Sequence, residues 1–269
     1  MNKLKNDFII INNRHMPKLR LVIMLALILP FISNAQISVL DREYFPDLYI
    51  GVLGGYGMDN YTGTFSTFEG SNECGKFTDG DGSGLLFGIK LEYKLSRRFD
   101  LYGSFVYEDR SGDFNSSSIT APVFVNDNLP PMNASLDQNL QVKINFFTFS
   151  PLIKYKPFDF DLGILFGPAL DFIIKDEITH SENITAPAEL YFLNKSKTRT
   201  VISGAIDSKN SLLLDLKTGL SLGIPLDENF KVTPEIFYTL PLMKVSSNGD
   251  WKISRLQMVL SFSYALNKN

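Results

Sequence analysis

Eight stretches of this chain alternate apolar and polar residues with a period of two, and no other feature constrains its fold as strongly. A β-strand sends successive side chains to opposite faces, so sorting each stretch by parity shows what its two faces meet. From Val232 to Leu242 the even positions (Val232, Pro234, Ile236, Tyr238, Leu240, Leu242) are apolar, and Lys231, Thr233, Glu235 and Thr239 oppose them. Leu212–Ile224, Leu256–Leu266, Leu162–Ile174, Leu85–Leu95 and Leu101–Tyr107 repeat the arrangement, and glycine-rich Leu48–Met58 shows it more weakly. The polar faces interleave charge with Gly, Ala and Ser. In Val142–Tyr155 the apolar positions are first Val142, Ile144 and Phe146, then Phe147, Phe149, Pro151, Ile153 and Tyr155. A one-residue slip exchanges the faces of a strand, so this change of parity predicts a β-bulge near Phe146–Phe147.

The connections alternate in length. Ser96–Phe99, Lys156–Asp159 and Pro225–Asn229 read as tight turns, whereas Asp59–Ser83, Ser111–Asn139 and Asp176–Asn210 read as long polar loops; Ser246–Asp250 is the one short connection on that side. Short turns at one end and long loops at the other are the mark of a barrel that crosses a membrane. The expected fold is therefore all-β: an eight-stranded antiparallel up-and-down transmembrane β-barrel with long extracellular loops and short periplasmic turns. A soluble β-sandwich also alternates, but apolar faces of five or six successive alternate positions fit strands of about 10 residues that face lipid. Pro151, Pro168, Pro234 and Pro241 lie inside strand-like runs, where each removes a ladder hydrogen bond and so marks a local irregularity.

The N-terminus points to export. Basic Met16–Arg20 precedes an apolar run, Leu21–Ile32, that is too short to be a membrane helix, and Ser33-Asn34-Ala35 precedes Gln36 as a cleavage site. Residues 1–35 are read as a signal peptide, with Met16 as an alternative start, and 36–269 as the barrel domain, which places the protein in the outer membrane. Removing 1–35 takes five Lys/Arg and one Asp from totals of 26 and 29, leaving 21 basic and 28 acidic residues, a net charge of −7. A net acidic chain without a basic stripe excludes nucleic acid as the expected partner. The single cysteine, Cys74, cannot form an internal disulfide and reads as a free loop thiol.

By parity, the inward set comprises Lys90, Glu92, Glu108, Arg110, Lys143, Asp171, Asp215, Lys217, Glu235 and Arg255. Eight strands leave an interior just wide enough for side chains to fill, and buried charges must be paired. These residues are expected to interlock as a structural plug; a small pore or ion path is the alternative. Asp79-Gly80-Asp81-Gly82-Ser83-Gly84 resembles half of a calcium loop, but Lys90 stands where the bidentate Glu is needed, so a flexible glycine-rich loop is expected. His180-Ser181-Glu182 lies in a long loop, where adjacent residues do not build a converging triad. No catalytic, metal or cofactor residues are assigned, and an outer-membrane hydrolase remains the third possibility.

Phe147-Thr148-Phe149-Ser150-Pro151-Leu152-Ile153-Lys154-Tyr155, then a short turn and Leu162-Gly163-Ile164-Leu165-Phe166-Gly167-Pro168-Ala169-Leu170, resembles a hairpin of the PorT-like family of small outer-membrane β-barrels. That resemblance implies a barrel of mostly unassigned role, with some members linked to secretion or surface assembly, and brings no catalytic residues. Phe262-x-Tyr264-x-Leu266 resembles a barrel-assembly signal, although Asn267-Lys268-Asn269 follows it. The expected partners are outer-membrane lipid, the barrel-assembly and periplasmic chaperone machinery, and an extracellular ligand held by the loops. The expected function is non-enzymatic: surface binding, or support of the envelope or of secretion.

Overall fold

The computed structural model describes residues 48–66, 76–115, 118–123 and 130–266; the signal-peptide region and Cys74 lie outside them. The described residues form twelve strands: β1 (Leu48–Ser66), β2 (Lys76–Lys94), β3 (Phe99–Asp109), β4 (Gly112–Asn115), β5 (Ile119–Val123), β6 (Met132–Tyr155), β7 (Leu162–Ala186), β8 (Thr198–Gly204), β9 (Leu212–Leu222), β10 (Ile224–Pro225), β11 (Phe230–Pro241) and β12 (Lys252–Ala265). Eight of them close a ring in which each is antiparallel to the next: β1, β2, β3, β6, β7, β9, β11, β12 and back to β1. β4 continues β3 between β2 and β6, whereas β5 and β8 flank the far ends of β6 and β7. Closure removes every sheet edge within the ring, which a chain surrounded by hydrocarbon requires.

Outside the ring, a belt of apolar side chains faces away from the protein, including Val52 (61% exposed), Leu85 (68%), Phe87 (61%) and Phe166 (55%). Exposure of this extent is what lipid contact would cover.

Three sequence expectations change. Much of the supposed loop sequence is strand: β1 and β2 run past Asp59 and Ser83, and β7 reaches Ala186. Asp79–Gly84 is accordingly ladder, paired with Thr62–Gly57, and not a flexible loop. β6 does not change parity either, since its even positions are buried along its whole length from Ala134 to Lys154. The bulge lies across from it. Asn145 pairs with Lys175 and Phe146 with Ile173, so Ile174 is the extra residue, in β7. The paired prolines behave differently: Pro151 lies opposite Pro168, the β6–β7 pairing lapses there, and the register is the same on both sides (Phe149↔Leu170, Ile153↔Phe166). Neither proline has an N–H to donate, so the ladder loses bonds without slipping.

A second bulge, in β1 between Thr62 and Phe65, contains Gly63 at φ 112°, where a Cβ would strike the Asp250 carbonyl. Only glycine adopts that conformation without strain.

Candidate functional site

The barrel interior is filled in layers. Near the short turns, the Lys154 ammonium lies 2.9 Å from Glu92 and 2.6 Å from Asp161, and Lys231 reaches the same two carboxylates at 3.0 and 3.3 Å. Lys90 pairs with Glu235 at 2.9 Å, Tyr102 donates to the other Glu235 oxygen, and Lys156 pairs with Asp100 at 2.6 Å. Glu92, Asp100 and Asp161 are close enough to share a metal ion, but each already has a lysine ammonium as its counter-charge.

An apolar layer follows: Leu53, Leu86, Val106, Leu152, Leu165, Phe237 and Val259, packed with Tyr102. Beyond it lies a second charged layer. Arg110 reaches Glu108 and Asp171, each at 2.8 Å, with its guanidinium over the Phe146 ring. Arg255 binds Asp59 at 2.7 Å and the Asp109 carbonyl at 2.9 Å, while Gln257 donates to Glu108. Gly57 makes room for this arginine, because a Cβ there would occupy the space of its guanidinium. Lys217 lies over the Phe237 ring, and Asp215 sits 3.8 Å from Arg110. Between these layers remains a cavity of only about 10 Å³, lined by Leu53, Tyr102, Glu108, Lys217 and Phe237 among others. That is room for about one water molecule.

Nine of the ten residues assigned to the interior are buried there. Lys143 is the correction. It is exposed, because β6 keeps one parity and its odd positions all face outward. Asp59, Asp100, Lys154, Asp161 and Lys231 belong to the network as well. Lys231 and Asp161 lie on the polar faces that parity defines for their stretches, Lys154 follows from the single parity of β6, and Asp59 lies in the part of β1 that reads as loop in the sequence.

Above the second charged layer the inner surface turns apolar. Tyr61, Phe114, Leu140, Val142, Ile144, Phe146 and Trp251 form a buried cluster, capped farther out by Val123, Leu136, Ile184, Leu190 and Phe192. His180 lies inside this extension rather than on an exposed loop, edge-on to Phe77 at 5.3 Å. Burial holds its imidazole below the usual pKa, and the charge of Glu182 opposes that shift. Ser181 falls on the other face of β7, and Glu182 is engaged by Arg199 at 2.7 Å, so these three neighbours do not converge.

A closed antiparallel eight-stranded ring with an apolar outer belt and a filled polar interior defines a membrane β-barrel. No protein-family profile and no curated protein matches the chain. Among solved structures it is similar to Neisserial surface protein A (10% identity, TM-score 0.37, covering 82% of this chain and 97% of that one). It is also similar to the outer membrane protein OprG of Pseudomonas aeruginosa (10%, 0.34, 82% and 96%) and to the attachment invasion locus protein Ail of Yersinia pestis (14%, 0.31, 80% and 97%). These overlaps are loose, and the fold assignment rests on the closed ring of strand pairs.

Proposed function

We propose that the protein is an exported, non-conducting, non-enzymatic barrel of the outer membrane, whose tall extracellular extension is the element that binds. The observation that carries this reading is the filled interior. Two charge layers, tied together by direct ion pairs, are separated by packed apolar side chains that leave a cavity of only about 10 Å³ between them. β6 and β7, at 24 and 25 residues, far exceed the roughly 9–11 residues that a membrane strand needs, and the excess forms a rigid packed sheet. A surface that must hold a ligand gains from being preorganised.

The test is single-channel recording of the folded mature chain in planar bilayers, with a heat-modifiable compact band as proof of folding. Absence of steady conductance from folded protein is expected. Sustained ohmic openings would overturn the reading in favour of a pore.

A further inference from the structure

We infer that the β2–β3 turn is a binding site for the phosphate of an anionic phospholipid in the periplasmic leaflet, an inference that rests on the membrane-barrel reading. Arg97 and Arg98 project from a rigid turn. Ser96 Oγ accepts from the backbone N–H groups of Arg98 and Phe99, and the Leu95 and Ser96 N–H groups both donate to the Phe99 carbonyl. The Lys156 N–H donates to the Arg98 carbonyl at 2.8 Å, which ties this turn to the one between β6 and β7.

The flanking residues set its depth. Leu95 (54% exposed), Phe99 (45%), Phe158 (52%) and Phe160 (46%) are all turned outward, with the last two rings stacked at 5.2 Å. Aromatic and apolar side chains on a barrel's outer surface sit at and below the headgroup level. Two guanidinium groups in their midst are therefore held at phosphate depth, and each presents a planar donor fork that matches phosphate oxygens.

Charge complementarity selects an anionic lipid. A zwitterionic headgroup carries its own cation beside the phosphate and gains little from two more. The turn before β11 makes the contrast: equally flanked by exposed Leu226 and Phe230, it carries Asp227 and Glu228 at its tip. The basic turn and the acidic turn give one end of the barrel two faces with opposite lipid preference.

The experiment places the folded mature chain in nanodiscs of phosphatidylcholine containing a minor fraction of phosphatidylglycerol, and counts by native mass spectrometry the lipids retained on release. Preference for phosphatidylglycerol is expected at roughly fivefold per arginine, the factor equivalent to about 1 kcal/mol per basic residue at a charged surface. It should vanish in Arg97→Gln/Arg98→Gln, persist in part in Arg97→Lys/Arg98→Lys, and be unchanged in Asp227→Asn/Glu228→Gln. In the wild-type chain it should weaken as salt rises. A folded barrel without preference, or a preference that survives the double glutamine variant, overturns the proposal. Displacement of the lipid by glycerol phosphate in the buffer would assign the site to a soluble phosphate instead. A chain that enters neither lipid removes the membrane reading itself, and this proposal with it.

Discussion

The two halves of β6 have opposite polarity. From Phe147 to Tyr155 the odd side chains that face outward are apolar, and the inward even ones are Thr148, Ser150, Leu152 and Lys154. From Asn133 to Asn145 the outward residues are Asn133, Ser135, Asp137, Asn139, Gln141, Lys143 and Asn145, and the inward ones include Leu136, Leu140, Val142 and Ile144. The backbone is continuous and its register against β3 does not slip. What changes is the surrounding medium. Lipid accepts apolar groups and leaves polar ones to the interior, whereas water reverses both preferences. The same strand is thus a membrane wall in one half and an ordinary sheet with its own small core in the other.

This comparison can be tested from either side. The largest effect is expected from Arg110→Met, which leaves Glu108, Asp171 and Asp215 without their shared cation. Removing one partner of a buried pair costs about 3–5 kcal/mol. Urea unfolding in lipid vesicles measures it, and a loss below about 1 kcal/mol would mean that the interior is wet. Next comes Leu140→Ala in the projecting half, where the side chain is fully buried; truncation there costs about 3 kcal/mol. Hydrogen exchange should show that loss in the far ends of β6 and β7, with the membrane-embedded wall still protected. Uniform loss would show that the two halves unfold as one unit.

A matched pair of outward substitutions sharpens the contrast. Phe149→Lys should cost about 2 kcal/mol because it places a charge against hydrocarbon. Gln141→Lys, on the same face of the same strand, should stay within about 0.5 kcal/mol. Equal costs would remove the boundary at Phe146–Phe147.

The smallest effect concerns pH. The lowered His180 pKa means that the folded extension binds fewer protons there than the unfolded chain. Its stability contribution is therefore present above the ordinary histidine value of about 6.5 and is lost as pH falls below it. Limited proteolysis of the extension should accelerate at pH 5 relative to pH 7.5 and become less pH-dependent in His180→Phe. An unchanged ratio in that variant would place the sensitivity elsewhere.

The sequence by itself determined the barrel. Period-two alternation depends only on strand geometry, and eight such stretches joined by alternating short and long connections leave few ways to bury their polar faces. It also placed most interior charges, because parity alone decides which way Glu108, Arg110, Asp171 or Arg255 points. Tertiary structure alone decided three things. It showed that the switch of apolar residues in β6 is a change of medium, which the local sequence writes in the same way as a change of register, so that parity alone points Lys143 inward while the folded strand turns it out. It moved the extra residue to Ile174 in β7, because a bulge relieves a mismatch between two strands and either strand can carry it. And it paired the charges. Lys231 and Glu92 are far apart in the chain, and their contact follows from where ring closure and the stagger of the strands bring them.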